Sequence, residues 1–330
     1  MNIKTITNLQ NLVPYNKNKF YEFVKDHASG IDDAEEKIQT IVEEVELTVF
    51  ADMSYDQLID SAILAATQNI QNDIDYEKVA TRFSLTQIYK SALDLSGNYK
   101  TYEELYRSSF PKYINFAIGQ KLLNPELAIL FDLEELSSAL TLDRDDVYTY
   151  IGITTAENRY MIKDRDQNTI ETPQFMWMRV AMGLSLKEDN PTEMAKVFYD
   201  KLSKQEYIPG GSTNIGSGST YPVLSNCYLI ETQDDIHSIF DNVKNVAIIS
   251  KATGGIGISV TKLRAAGSPV RSNNTFSTGP IPFIKVMDAA LKSVSRAGKK
   301  AGAMCVYIEN WHYNFPEFID LRQNAGDDYR

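Results

Sequence analysis

Val223-Leu-Ser-Asn-Cys-Tyr-Leu-Ile-Glu231 stands where the chain changes texture. Its short run of aliphatic and aromatic side chains predicts a strand over 223–230. After it, residues 234–251 carry Ile236, Ile239, Val243, Val246 and Ala247 at helical spacing. A short strand is expected at 257–260. A helix follows over 281–296, with Phe283, Val286, Met287, Ala290, Leu291 and Val294 on its inner face, then a strand at 303–309. Alternation of strand and helix predicts a parallel sheet, so this part of the chain is expected to be α/β.

Upstream the pattern is helical. Phe20, Phe23 and Val24 recur at helical spacing within 14–28. Helices are also expected at 32–45 and 54–71, where Leu58, Ile59, Ala62, Ile63 and Ala66 form a stripe behind Ser54, a candidate N-cap. Further helices are expected at 102–108, 110–122, 133–140 and 173–186. The last opens on Thr172-Pro173, an N-cap residue followed by proline at the first helical position. Residues 209–220, Pro-Gly-Gly-Ser-Thr-Asn-Ile-Gly-Ser-Gly-Ser-Thr, read either as a flexible linker or as a loop facing a ligand.

Composition narrows the function. The 330 residues carry a formal charge of −11, which argues against a nucleic-acid or anionic-membrane surface. No apolar run reaches membrane-spanning length. The N-terminus lacks a signal-peptide core, so a cytoplasmic location is expected. The three histidines, His27, His237 and His312, are scattered and show no metal-ligand spacing. The two cysteines, Cys227 and Cys305, cannot build a disulfide scaffold. Cys227 is either a small core side chain or a thiol that does chemistry as a nucleophile or a donor of reducing equivalents. Cys305, inside Ala-Met-Cys-Val-Tyr-Ile, reads as core.

Two glycine-bearing basic loops point to a ligand. Gly254, Gly255 and Gly257 let backbone approach a neighbour closely, but they enter a strand rather than open a helix. They therefore do not fit the dinucleotide fingerprint. Arg264 and Arg271 flank a Gly-Ser-Pro turn, and Arg296 with Lys300 falls in a second loop of the same kind. In an acidic chain, two such loops close together favour a phosphorylated small ligand.

Five segments then occur in order. They are Glu171-Thr-Pro-Gln-Phe-Met-Trp-Met-Arg-Val-Ala-Met-Gly, Leu224-Ser-Asn-Cys, Gly254-Gly-Ile-Gly, Arg264-Ala-Ala-Gly-Ser-Pro-Val-Arg, and Val306-Tyr-Ile-Glu-Asn-Trp-His312. From about residue 90 onward the chain resembles the large, catalytic subunits of class I ribonucleoside-diphosphate reductases. The resemblance implies a helical N-terminal region followed by the first part of a ten-stranded α/β barrel. In these terms residues 1–90 form a degenerate ATP-cone-like domain, 91–220 a helical domain, and 221–330 the opening of the barrel.

The resemblance also implies roles. Cys227 matches one member of a redox cysteine pair that supplies reducing equivalents and becomes a disulfide. Thr213, Asn226, Cys227 and Gly255 match substrate-contacting positions, Thr213 only loosely. Asp234, Asp235 and Ile236, with Arg264 and Arg271, match the site where a dNTP effector selects the base to be reduced. Arg296 and Lys300 match the loop that relays this choice. Lys19 and Ser54 fall where an ATP cone contacts nucleotide, although the usual Lys-Arg-Asp-Gly start is replaced by Thr7-Asn-Leu-Gln-Asn. Implied partners are a radical-generating small (beta) subunit holding a metal-radical cofactor, thioredoxin or glutaredoxin as external reductant, and a second copy of the catalytic unit. No cofactor is implied in this chain itself beyond dNTP and ATP effectors.

Family elements are missing as well: the radical-bearing cysteine, the second redox cysteine and the C-terminal shuttle cysteines. The 330 residues alone are therefore not expected to reduce ribonucleotides. A C-terminal half of the catalytic subunit, on a second polypeptide if the gene is split, is expected to complete the barrel. Three other readings remain: a nucleotide-sensing paralogue without catalysis, a class II enzyme of similar barrel, and an unrelated NAD-binding α/β enzyme.

Overall fold

The computed structural model describes residues 12–252, 254–271, 274–294 and 302–321. The chain divides into two units, Met1–Pro222 and Val223–Arg330.

The first unit is built from helices whose starts are written in capping residues. These are α1 (Lys17–His27), α2 (Ala34–Glu46), α3 (Tyr55–Gln68), α4 (Asp75–Ala92), α5 (Tyr102–Gly119), α6 (Glu126–Ile129), α7 (Leu133–Ala139), α8 (Tyr150–Arg159), α9 (Pro173–Ser185), α10 (Pro191–Ser203) and α11 (Gly211–Gly216), with a 3-10 turn at Leu142–Val147. Asn16, Ser54, Thr101, Asp132, Thr149 and Thr172 each accept a backbone N–H of the helix they precede. Such caps satisfy N–H groups that the helix leaves without a partner. Helix α4 runs through residue 90, and one hydrophobic core, from Leu12 to Leu202, continues on both sides of it.

Two expectations change here. Residues 102–119 are one helix rather than two, although Pro111 lies inside it. A proline has no N–H for the carbonyl four residues back. That carbonyl, Arg107 O, accepts the Ser137 hydroxyl at 2.6 Å instead, so the helix continues at small cost. Residues 211–216 form helix α11 rather than an open loop.

The second unit contains β1 (Cys227–Glu231), α12 (Ile236–Lys251), β2 (Gly255–Ser259), β3 (Pro269–Val270), β4 (Thr275–Phe276), α13 (Ile281–Ser293), β5 (Met304–Tyr307) and α14 (Phe315–Asp320). The sheet order is β1-β2-β5, all parallel, with Cys227 opposite Gly255 and Gly257 opposite Cys305. Helices α12 and α13 pack on one face, where Ile239, Val246, Met287 and Leu291 meet Ile256 and Ile258. Strands laid down in sequence order, with both connecting helices on one side, make a singly wound sheet, the geometry from which barrels close.

The opposite face carries Cys227, Leu229, Gly255, Gly257, Cys305 and Tyr307. Leu229 is 86% exposed and Tyr307 55%. A Cβ on Gly257 would come within 2.8 Å of the Leu229 side chain and 3.2 Å of the Tyr307 ring, so this glycine lets the two converge over the sheet. The expectation that Cys305 is core is therefore wrong. Side chains alternate along a strand; Met304 and Val306 take the helix-covered side, which leaves Cys305 exposed. Cys227 is also exposed, and it is the first residue of β1 rather than its middle.

Candidate functional site

A cleft of ≈ 690 Å³ opens in the second unit between the start of α12 and the β3–β4 hairpin. It is lined by Asp234, Asp235, Ile236, Arg264 and Arg271, together with Phe276 and Phe283. All five residues expected at an effector site thus meet in one place. Its volume suits a small organic ligand. Apolar and aromatic walls beside two guanidinium groups fit a ligand with a flat ring at one end and phosphates at the other.

The cleft is held by polar contacts that sequence reasoning did not assign. Arg264 donates Nε to Asp234 Oδ2 at 2.8 Å, and its backbone N–H to Asp234 Oδ1 at 3.1 Å. Asp235 is the N-cap of α12, accepting from Ser238 N at 3.0 Å. On the far side, buried His312 accepts Asn314 N–H at Nδ1, so Nε2 carries the proton and donates to Leu263 O at 2.8 Å. Asn314 Oδ1 accepts Ala266 N–H at 2.9 Å. The Trp-His-Tyr-Asn segment after β5 thereby fixes the backbone on both sides of Arg264. Gly279 completes the clasp: its φ is +75°, and a Cβ there would lie 2.9 Å from both Ala266 N and Asn314 Oδ1.

A second candidate region is the bare sheet face. Gly255 donates its N–H to Asn226 O at 2.8 Å, which sets Cys227 beside Gly255 at one end of the strands. A Cβ on Gly255 would meet only Asn226 O, at 3.3 Å. Cys227 and Cys305 lie on this face but flank β2 on opposite sides. Two strand spacings alone put them at least about 9.6 Å apart, the register offsets them by a further two residues along β2, and a disulfide needs Cα atoms within about 7 Å. Any disulfide partner of Cys227 must therefore be a different thiol.

Thr213 lies in α11 of the first unit, its N–H donated to Gly210 O at 2.9 Å. The residues that organise this segment were quoted in the Glu171–Gly183 motif without a role. Arg179 and Glu171 are fully buried. Arg179 donates Nε to Glu171 Oε1 at 2.6 Å, and its terminal nitrogens to Glu171 Oε2, Tyr160 O, Asn214 O and Ser217 O. Glu171 also accepts Ile162 N–H at 2.8 Å and the Tyr113 hydroxyl. Burial opposes the guanidinium charge, but Glu171 more than offsets it and raises the Arg179 pKa above its ordinary value.

The remaining expected residues are dispersed. Ser54 caps α3 in a capping box with Gln57, its Oγ accepting Gln57 N at 3.3 Å. Lys19 is an exposed residue of α1. Arg296 and Lys300 lie outside the described residues.

Comparison with known proteins fits both units. Residues 146–222 match the family model for the all-alpha domain of ribonucleotide reductase, and residues 225–330 match that for its barrel domain. The chain belongs to the ribonucleotide reductase large-subunit family. It is 43% identical over 274 residues to the ribonucleoside-diphosphate reductase subunit alpha of Chlamydia muridarum, covering 83% of this chain and 26% of that protein. To subunit alpha of Helicobacter pylori strain 26695 it is 34% identical over 314 residues, 94% of this chain and 38% of the relative. To the Arabidopsis thaliana large subunit it is 32% identical over 286 residues, 84% and 34%. The chain thus spans between about a quarter and two-fifths of these ribonucleotide reductase relatives. Its helical first unit followed by a singly wound sheet is the N-terminal part of a reductase large subunit running into the start of the barrel.

Proposed function

We propose that this chain forms the N-terminal part of a catalytic subunit that reduces ribonucleoside diphosphates to deoxyribonucleoside diphosphates. The observation that carries the reading is Cys227, exposed at the start of β1 beside Gly255 on the bare sheet face. In the reaction the ribose C2′–O bond breaks and the oxygen leaves as water. Two electrons and two protons come from the Cys227 thiol and a second thiol, and the two sulfurs join as a disulfide. Cys305 is too far across the sheet to be that second thiol, so it belongs to sequence beyond these 330 residues, on the same or a second polypeptide. A small subunit supplies the radical, and thioredoxin or glutaredoxin restores the thiols. Asn226 and Gly255 border the ribose and Thr213 the substrate phosphates. A dNTP in the cleft of Asp234, Asp235, Ile236, Arg264 and Arg271 selects the base, and Arg296 and Lys300 relay that selection. Residues 1–90, with Lys19 and Ser54, serve as a degenerate ATP-cone-like region. The protein acts in the cytoplasm, in deoxyribonucleotide synthesis.

The test is to combine the chain with the rest of its catalytic subunit and the small subunit, and to measure deoxynucleotide formation with a thiol reductant. Cys227→Ser is expected to abolish multiple turnover, with dNTP binding in the cleft retained. Full activity in Cys227→Ser would overturn the reading. Because all five residues expected at an effector site line a cleft in the second unit, a second reading is a nucleotide sensor. It predicts dNTP binding that Arg264→Ala weakens, with no reduction by any combination of subunits.

A further inference from the structure

Helix α11, Gly-Ser-Thr-Asn-Ile-Gly, has no reason of its own to form. Two of its residues are glycine, and six residues are too few for an isolated helix in water. What holds it is the adjoining face of α9. Arg179 donates one terminal nitrogen to both Asn214 O, at 3.0 Å, and Ser217 O, at 2.7 Å. Ser217 Oγ donates to Val180 O at 2.8 Å. One turn further along α9 from Arg179, Gly183 leaves room for the segment to lie directly on the helix. A Cβ there would overlap Gly218 N and Ser217 Oγ and come within 2.7 Å of Ser217 C.

The fork is itself immobilised. A guanidinium offers five N–H donors, and in Arg179 each has an acceptor. Glu171 fixes one edge of it, and Ile162 N–H with the Tyr113 hydroxyl fixes Glu171. Thr213 immediately precedes the held Asn214 and is tied to the held Ser217: it donates its N–H to Gly210 O and its carbonyl accepts Ser217 N–H, both at 2.9 Å. A buried, fully bonded ion pair that contributed only stability would have no need to reach two carbonyls of a separate segment. Replacing such pairs by apolar residues is often neutral or better for stability.

We propose that Arg179, oriented by Glu171, is a positioning residue: it holds the 210–218 segment, and with it Thr213, in the arrangement that receives the substrate's phosphates. The proposal rests on the assignment of Thr213 to substrate. Lysine cannot substitute, because a single ammonium lacks the planar fork that spans Glu171 and both carbonyls.

Arg179→Lys and Gly183→Ala test it in the complete catalytic subunit, this chain together with the sequence that closes the barrel. Gly183→Ala leaves the ion pair untouched and pushes the segment off α9, so it decides the matter if Arg179→Lys does not fold. Hydrogen exchange across 210–218, the Kd for cytidine diphosphate, KM and kcat, and the Kd for a dNTP are measured. Both variants are expected to speed exchange in the segment and to raise the cytidine diphosphate Kd and KM about tenfold, with kcat changed by less than about threefold. The dNTP affinity should not move. Unchanged exchange overturns the proposal, because Arg179 then does not hold the segment. Faster exchange with an unchanged cytidine diphosphate Kd also overturns it, because the pair is then a stability element only. Cys227→Ser separates this outcome from failure of the functional reading: it should lose turnover while exchange in 210–218 and the diphosphate Kd stay as in the wild type.

Discussion

The two units handle their interiors in opposite ways. In the first, several polar groups are buried with partners: Arg179 with Glu171, His27 between Phe23 O and Thr86 Oγ1, and Asp145 beneath Tyr89, Tyr106 and Gln174. In the second, a thin apolar core lies between one sheet face and two helices, while the other face shows Cys227, Leu229, Cys305 and Tyr307. A helical unit can satisfy its own backbone and close its core. A parallel sheet whose second face and two outer edges are uncovered among the described residues leaves surface for further structure to pack on. The first unit closes its own core, and the second, open on one face, carries the exposed cysteines and the cleft lined by Arg264 and Arg271.

The largest expected effect lies in the closed unit. Glu171→Ala leaves the Arg179 charge buried and unpaired, and should destabilise the first unit by about 3–5 kcal/mol. Urea unfolding followed by Trp177 fluorescence checks this in a Trp311→Phe background, since Trp177 is buried in the first unit and Trp311 is exposed in the second. A loss below about 1 kcal/mol would remove the contrast between the two interiors.

Next comes pH. Burial lowers the His27 pKa to about 4, and burial raises that of Asp145 to about 7. Neutral folded His27 favours folding above the unfolded histidine value near 6.5, and that contribution is lost as pH falls from about 6.5 to about 4. Protonated folded Asp145 acts the other way: its contribution is complete below the unfolded value near 3.9 and is lost as pH rises to about 7. The two slopes oppose each other over most of this range. Asp145→Asn should therefore unmask stability that rises with pH from about 4 to about 6.5, and His27→Gln stability that falls from about 4 to about 7, each on the order of 3 kcal/mol. Denaturant midpoints measured across this range decide it, and parallel curves for wild type and both variants would contradict the assignment.

Within the open unit the two sheet faces should differ. Ile258→Ala on the covered face is expected to cost about 2–4 kcal/mol, and Leu229→Ala on the bare face less than about 0.5 kcal/mol. Equal losses would mean that the bare face is covered in solution. The smallest effect concerns the thiols. Cys227 and Cys305 should both react with a water-soluble thiol reagent in the folded chain, and mild oxidation should leave no disulfide between them, as judged by mass spectrometry. A Cys227–Cys305 disulfide in folded protein would contradict the strand order.

Much of the architecture was legible in local signals. Thr172-Pro173 marks the start of α9, Ser54 that of α3, and the strand–helix alternation after residue 223 foretold a parallel sheet. The five residues expected at an effector site line one cleft. What was misread depends on partners far along the chain. Residues 102–108 and 110–122 looked like two helices, whereas Ser137, far along the chain, supplies the donor that Pro111 withholds from Arg107 O and lets one helix run through. Cys305 looked like core because its neighbours are apolar, whereas strand alternation and the side chosen by α12 and α13 leave it exposed.

Residue order by itself determined where several helices begin, among them those opened by Ser54 and by Thr172-Pro173, because caps and prolines act over a few residues. It also determined the class of the second unit, because alternation of elements restricts how a sheet can be wound. Only the tertiary structure decided which sheet face stays bare, that Cys227 and Cys305 cannot meet, and that Arg179 holds the segment bearing Thr213. Those outcomes turn on directional hydrogen bonds and packing between groups tens of residues apart, and no local pattern encodes them.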